Sequence, residues 1–305
     1  MKLLLLIALV LSTQAFQIVD DGDFRRVNSL LKADNTPIAI LVGFNSYCGN
    51  ATGFQTILSS KLDRHNECFE LSPDPEYEAA AEYSMVTPIR EQGARACELI
   101  NANPKFQGEF DLLGFSQGTV VSRYLIQYCN LNGKIRNFIA FGGPLNGISS
   151  PPCGNWDLIC TIKNWIANYQ AFTENFASSS APASYLRFPQ YFQRYLDYSP
   201  FLAEANNEVN YSEDRRQKFL ALHKALFIKF AQEQVVIPAE SSWWGEFDRA
   251  GNVLSRNQTR TYNEDLIGIK TLEEQGRGVF VTLAGKHVEV TPNDIDEVVI
   301  PFLTT

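Results

Sequence analysis

Short apolar runs alternate with stretches of helical periodicity along most of this chain. Runs that are predicted to be strands cover residues 38–44, 110–114, 135–141, 226–231 and 278–284. Helical patterns cover residues 77–102, which Pro88 and Gly93 interrupt, and residues 117–129 and 292–303. Alternation of this kind predicts an α/β fold, with a mainly parallel sheet covered by helices on both faces.

The alternation breaks between residues 145 and about 223, where the chain is rich in aromatic residues and mostly helical in pattern. We interpret this segment as an insertion between two strands of the sheet. Its aromatic side chains have two possible roles, which the sequence leaves open. They form a small core of the insertion itself, or some of them line a groove for an apolar ligand.

The strongest chemical signal is a G-x-S-x-G motif at Gly114, Ser116 and Gly118, which stands between a predicted strand and a predicted helix. A turn this tight needs small residues around the serine, and it lifts the hydroxyl group clear of the sheet. The N-terminal N–H groups of the following helix point to the same place, where they stabilise a developing negative charge. The motif therefore predicts Ser116 as a nucleophile.

A serine nucleophile needs a base, and the chain has three histidines to choose from. His65 precedes the serine, and His223 lies in a helical pattern among leucines, so we expect a structural role for it. His287 follows the last predicted strand by a short turn, where reactive residues of a parallel sheet gather. We therefore predict His287 as the base, in the order nucleophile, acid, histidine.

Two carboxylates are candidates for the acid that orients this histidine. Glu233 directly follows the predicted strand 226–231, and Glu240 comes after a further bend. We favour Glu233. For the oxyanion hole, the residue after the nucleophile supplies one N–H group, and this is Gln117. Phe44, at the end of the first predicted strand, is the expected second donor.

Composition narrows the possible partners. The chain has 305 residues, 45% of them hydrophobic, and a formal net charge of -8. This charge argues against nucleic acid or an anionic membrane surface as the main partner. The sequence has no H-x-x-x-H or C-x-x-C spacing and no glycine-rich nucleotide loop, so we expect neither a metal nor a cofactor.

The first 15 residues have the pattern of a secretory signal, and we expect residues 16–305 to form one domain that includes the insertion. No later apolar run is long enough to cross a bilayer. Six cysteines and three glycosylation sequons are typical of a protein that passes through the oxidising secretory pathway. The cysteines are Cys48, Cys68, Cys97, Cys129, Cys153 and Cys160, and the acceptor asparagines are Asn50, Asn210 and Asn257. Cys153 and Cys160 would close a short ring, but the other pairings stay open.

These segments together resemble the palmitoyl-protein thioesterases. The resemblance covers roughly residues 38–303 and is strongest around the serine motif, Phe141-Gly142-Gly143, Ser241-Ser242-Trp243-Trp244-Gly245 and Leu283-Ala284-Gly285-Lys286-His287-Val288. It implies an α/β-hydrolase fold with a helical, lid-like insertion and an acyl groove. It also implies Ser116, His287 and Glu233 as the triad, with Phe44 and Gln117 as oxyanion donors. Glu233 stands where the family usually has aspartate, and Val42 and Leu145 stand where it often has histidine.

The resemblance further implies the disulfides Cys97–Cys129 and Cys153–Cys160, which leaves Cys48 for Cys68. The expected function is hydrolysis of long-chain acyl thioesters, on a fatty-acylated protein or a small acyl thioester, in the lysosome or outside the cell. The alternatives are a lipase or carboxylesterase for oxygen esters and, from another class, an inactive lipid-binding protein. A thiol, with a pKa near 8.5, leaves more readily than an alcohol. A triad that cleaves one class of ester therefore suits the other as well, and the triad alone does not distinguish thioesters from oxygen esters.

Overall fold

A sheet of six parallel strands lies at the centre of the computed structural model, which describes residues 34–149 and 180–305. The strands in chain order are β1 (Ile38–Leu41), β2 (Asn66–Cys68), β3 (Glu109–Phe115), β4 (Lys134–Phe141), β5 (Lys224–Gln232), β6 (Glu246–Phe247), β7 (Val253–Leu254) and β8 (Gly278–Lys286). In the sheet they follow the order β2-β1-β3-β4-β5-β8, while β6 and β7 pair separately as an antiparallel ribbon. The predicted α/β class and parallel sheet are thus confirmed.

Helices connect the strands and cover the sheet. They are α1 (Thr52–Lys61), α2 (Tyr77–Val86), α3 (Ile89–Ala102), α4 (Gln117–Tyr128), α5 (Phe192–Tyr198), α6 (Leu202–Ala205), α7 (Glu213–Leu220), α8 (Arg260–Asn263), α9 (Ile269–Glu274), α10 (Pro292–Asp294) and α11 (Ile300–Thr304). Short 3₁₀ turns lie at Cys48–Ala51, Pro104–Phe106, Pro182–Tyr185, Pro189–Tyr191, Ala239–Trp243 and Arg256–Gln258. Within the described ranges, none of the helices combines the length and the apolar character that a bilayer crossing requires.

Two hydrophobic clusters, one on each face, hold the sheet between the helices. In β1 all four residues are fully buried, and they alternate between the clusters because successive side chains of a strand point to opposite faces. Ala39 and Leu41 pack with α3 and α4, whereas Ile38 and Ile40 pack with α1 and the C-terminal helices. Burial on both faces explains why these strands are continuous apolar runs in the sequence.

The structure corrects four details of the predicted elements. Only Pro88 divides the helical stretch 77–102, since Gly93 lies inside α3. His223 is not in a helix, because α7 ends at Leu220 and His223 lies in the turn before β5. The closing helix contains a π-helical turn at Ile295–Val299. The sequence pattern did not predict α1, β2 and the β6–β7 ribbon, because these elements are short or weakly apolar.

Residues 145–149 and 180–223 of the insertion are described, and the second range carries the short helices α5, α6 and α7. Its aromatic side chains Tyr185, Tyr195 and Phe201 are buried in the same cluster as α3 and α4. They therefore extend the main core, and the expectation of a separate core is wrong for these residues. Residues 150–179 lie outside the described part of the chain.

Two of the disulfides that the resemblance implied are present, Cys48–Cys68 and Cys97–Cys129. The other pair, Cys153 and Cys160, lies outside the described residues, as does the expected signal at residues 1–15.

Candidate active site

Ser116 occupies the sharp turn between β3 and α4, with backbone angles of φ 51° and ψ −122°. A positive φ is uncommon for a residue other than glycine, and it marks Ser116 as a strained backbone position. A Cβ atom on Gly118 would lie 2.3 Å from the carbonyl oxygen of Leu41, and one on Gly114 would lie 2.7 Å from the backbone of Thr119. Strand and helix pass this closely only because both positions are glycine.

His287 lies directly after β8 and contacts the serine. Its Nε2 atom is 2.8 Å from Ser116 Oγ, and its Nδ1 atom is 2.7 Å from Glu233 Oε2. β3, β5 and β8 are parallel, so their carboxyl ends meet at one edge of the sheet and bring together residues far apart in sequence. A carboxylate only accepts hydrogen bonds, so Nδ1 carries the proton and Nε2 is left to accept the serine proton.

Glu233 is held in place by its own loop as well as by His287. Its Oε1 atom accepts hydrogen bonds from the N–H groups of Val235, at 2.7 Å, and Val236, at 3.0 Å. The carboxylate side chain is only 1% exposed. Burial acts to raise the pKa of Glu233, but the hydrogen bond and charge of His287 and the two backbone N–H groups outweigh it and lower the pKa below its ordinary value. The carboxylate is therefore ionised beside the imidazole.

The other candidates lie elsewhere. Glu240 pairs with Lys229 at 3.1 Å. His65 pairs with Glu67 at 2.9 Å, and His223 Nδ1 lies 3.3 Å from the side-chain oxygen of Asn137. The structure thus groups the three residues that the sequence favoured, while their chemical roles remain predictions.

A cavity of about 480 Å³ opens in front of Ser116 and His287. Its apolar wall is formed by Phe44, Phe54, Phe115, Val288 and Val290. Sequence reasoning missed the contribution of α1, which supplies Phe54, because α1 carries no clear periodic pattern. The volume lies within the range typical of small-molecule sites.

The two expected oxyanion donors flank the nucleophile. Gln117 begins α4, so its N–H group has no partner within the helix, and Phe44 lines the cavity. A Cβ atom on Gly43 would lie 2.9 Å from Ser116 Cβ and 3.6 Å from the Gln117 nitrogen. The loop that carries Phe44 therefore passes directly beside the serine. In the described ranges, no three His, Cys, Asp or Glu side chains gather in a way that could hold a metal ion.

A parallel sheet with a strained serine between strand and helix, and a histidine and a carboxylate at the ends of later strands, defines an α/β-hydrolase. Within this class, the chain belongs to the palmitoyl protein thioesterase family, whose model matches residues 37–287.

Curated relatives are similar to this chain over 60–72% of its length. Palmitoyl-protein thioesterase 1 of Caenorhabditis elegans is 31% identical over 199 residues, which cover 64% of this chain and 66%, just under two thirds, of that protein. Palmitoyl-protein thioesterase 3 of Dictyostelium discoideum is 28% identical, with 72% and 75% covered. Lysosomal thioesterase PPT2-B of Xenopus laevis is 26% identical, with 60% and 64% covered.

Proposed function

We propose that the protein hydrolyses long-chain fatty acyl thioesters, on S-acylated proteins or peptides or on small acyl thioesters. The observation that carries this proposal is the continuous hydrogen-bond chain Ser116–His287–Glu233 beside a partly apolar cavity. Membership of the thioesterase family and the names of the relatives support the choice of substrate class.

The proposed reaction has two halves. His287 takes the proton of Ser116 as Oγ attacks the carbonyl carbon, and the resulting oxyanion lies against the N–H groups of Phe44 and Gln117. The carbon–sulfur bond then breaks, and the thiolate leaves with the proton from His287. In the second half, His287 removes a proton from water, whose oxygen attacks the acyl ester. The fatty acid leaves, and Ser116 recovers its proton. Glu233 stabilises the imidazolium that forms in each half.

The test is to trap the acyl enzyme. A palmitoyl thioester is mixed with the protein, the reaction is quenched early, and the adduct is located by mass spectrometry. We expect one palmitoyl group on Ser116 and none in Ser116→Ala, whose kcat should fall by about 10⁶-fold. Turnover by a folded Ser116→Ala protein would overturn the proposal. Comparison with the matching oxygen ester tests the substrate class, since a strong preference for the oxygen ester would make this an esterase.

The acid is tested by a matched pair of variants. Glu233→Gln keeps the side-chain shape but removes the charge that orients His287, so kcat should fall by about 10⁴-fold. Glu240→Gln makes the same change at a carboxylate that pairs with Lys229 and should alter kcat by less than about twofold. If the Glu240 variant loses activity instead, the acid assignment is wrong.

We also propose that the protein acts in the secretory pathway, in the lysosome or outside the cell. Two disulfides and relatives that are named lysosomal thioesterases support this location. Asn50, Asn210 and Asn257 are all exposed, as acceptors for glycans must be. Expression with residues 1–305 in a secreting cell should give a glycosylated protein that begins near residue 16. A product that retains residues 1–15 would contradict this location.

A further inference from the structure

The side chain of Gln117 is buried and fully engaged in hydrogen bonds, although only its backbone has a predicted catalytic role. It is 1% exposed. Its Nε2 atom donates to the carbonyl oxygen of Ser84 at 2.7 Å and to Gln92 Oε1 at 3.3 Å. Its Oε1 atom accepts a hydrogen bond from the Tyr185 hydroxyl at 2.8 Å. This side chain therefore joins three segments of the chain directly behind the nucleophile.

The chemistry of the partners fixes the direction of this amide group. The Ser84 carbonyl only accepts hydrogen bonds, so Nε2 must face it and Oε1 must face Tyr185. Tyr185 is 5% exposed, and its burial raises the pKa of the hydroxyl well above its ordinary value. The hydroxyl therefore stays protonated and remains a donor over the whole working pH range. Because the Ser84 carbonyl acts only as an acceptor and the Tyr185 hydroxyl donates, the Gln117 amide has a single orientation.

Ser84 connects this network to the other side of the expected oxyanion hole. Its hydroxyl accepts a hydrogen bond from the N–H group of Ser46 at 3.4 Å and donates to the Ala81 carbonyl at 2.7 Å. Ser46 lies two residues after Phe44, on the loop that lines the cavity. The last turn of α2 therefore holds both the Gln117 side chain and the loop of the second donor.

The backbone of Tyr185 is fixed independently of its ring. The N–H group of Ile148 donates to the Tyr185 carbonyl at 2.9 Å, and Arg187 donates back to the Ile148 carbonyl at 2.9 Å. This bridge joins the start of the insertion, at Ile148, to a segment within it, at Leu186. Tyr185 thus presents its hydroxyl to Gln117 from a rigid position.

We propose that Tyr185 is a positioning residue for the oxyanion hole. It holds the Gln117 side chain and thereby sets the direction of the Gln117 backbone N–H group toward the reacting carbonyl oxygen. This inference rests on the proposed hydrolase function. Oxyanion donors act by being aimed in advance at the position where charge develops, so small misalignment weakens transition-state binding more than substrate binding.

The central experiment is Tyr185→Phe, which removes one oxygen atom and leaves Gln117 Oε1 buried without its donor. We expect kcat for a palmitoyl thioester to fall about tenfold, with KM changed less than about twofold. Affinity for a palmityl trifluoromethyl ketone, which forms a tetrahedral adduct with the serine, should fall by about the same factor as kcat, while affinity for the product palmitate stays the same.

Tyr195→Phe is the matched control. Tyr195 is also fully buried, but its hydroxyl donates to Glu208 at 2.6 Å, in a network around Arg187 that does not include Gln117. This variant should lose folding stability yet keep kcat within about twofold of wild type. If both tyrosine variants lose kcat equally, Tyr185 acts only through general stability and the proposal is wrong.

A double-mutant cycle tests the route through Gln117. Gln117→Met keeps the backbone N–H group but removes the amide, so alone it should lower kcat about tenfold, and Tyr185→Phe in that background should cost little more. Additive losses would overturn the inference. Gln117→Met also provides the test if Tyr185→Phe does not fold. Turnover by Ser116→Ala would overturn the proposed hydrolase function itself. If Ser116 is essential but Tyr185→Phe has the kcat of the wild type, only the positioning role of Tyr185 is overturned.

Discussion

At the scale of single residues, backbone strain lies at or next to the two side chains that we propose as nucleophile and base. Ser116 has φ 51°, and so does Val288, the residue directly after His287. For a β-branched residue this is a true outlier, and each such position costs about 1–3 kcal/mol. The turn around Val288 is closed by hydrogen bonds between Lys286 and Glu289 in both directions, at 3.0 Å and 2.8 Å. The surrounding structure therefore holds two strained residues where Ser116 and His287, the proposed nucleophile and base, meet.

The pKa of Glu233 makes a testable contribution to stability. Its pKa is lowered from the ordinary value of 4.5, so the unfolded chain binds this proton more tightly than the folded protein does. The stabilisation is fully present above the unfolded pKa and is lost as the pH falls through the folded pKa. As the pH falls from about 6 to about 3, we expect the wild type to lose free energy of unfolding relative to Glu233→Gln, because glutamine does not titrate. Urea denaturation at a series of pH values measures it, and a constant difference would contradict the lowered pKa.

At the scale of elements, the position of Ser116, the proposed nucleophile, depends on how α4 packs. Gly93, inside α3, lies against Tyr124 of α4, and a Cβ atom there would come within 2.3 Å of the tyrosine ring. The close contact of these two helices is possible because a glycine interrupts the α3 surface. Since α4 begins immediately after Ser116, any shift of α4 moves the nucleophile and the Gln117 N–H group together.

Gly93→Ala should therefore destabilise the protein, although alanine favours helices. We expect a loss of about 1–3 kcal/mol in the free energy of unfolding, because the overpacked ring must move. Gly53→Ala is the matched control, because Gly53 lies in α1 and, outside its chain neighbours and its own helix backbone, no atom of the described residues comes within 4 Å of the new methyl group. It should gain up to about 1 kcal/mol from helix propensity. Urea denaturation of both variants decides the matter, and a stabilised Gly93 variant would show that α3 and α4 separate easily.

The elements that could be predicted from the sequence are those with a strong local pattern. The central strands are buried on both faces, so continuous apolar runs located β1, β3, β4, β5 and β8 to within a few residues. β2 reads Asn-Glu-Cys at the edge of the sheet, and α1 buries only Leu58, so neither had a pattern to find. The position of Glu233 beside His287 could be predicted because the carboxyl ends of parallel strands converge; its role as the acid stays a prediction.

The contacts behind the nucleophile could not be predicted in this way. Gln117 meets Ser84 and Tyr185, which lie 33 and 68 residues away in the chain. Ser84 contributes a backbone carbonyl from the last turn of α2, and Tyr185 lies in a short 3₁₀ turn, so periodicity in the sequence indicates neither contact. Sequence patterns locate the reacting groups, because their chemistry restricts the residue types, but they do not locate the neutral amides and hydroxyls that support them.

At the scale of the whole molecule, two disulfides in the described ranges brace the elements that flank the site. Cys48–Cys68 ties the 3₁₀ turn beside the cavity to β2, and Cys97–Cys129 ties α3 to the end of α4. The first lies close to the loop of Phe44, while the second lies at the opposite end of α4 from Ser116. Both should stabilise the fold, but only the first should affect the oxyanion hole.

Replacing both cysteines of one disulfide by serine, for each disulfide in turn, separates the effect on folding stability from the effect on the oxyanion hole. The disulfides close segments of 20 and 32 residues, so removing either should cost about 3–4 kcal/mol of unfolding free energy through the entropy of the unfolded chain. At a temperature where both variants are folded, Cys97→Ser/Cys129→Ser should keep its kcat. Cys48→Ser/Cys68→Ser should lose kcat about tenfold, because the Phe44 loop is then free to move away from the developing charge. Urea denaturation without reductant and steady-state kinetics measure the two quantities. Equal kcat in both variants would mean that the packing of Gly43 against Ser116, rather than the disulfide, holds this loop in place.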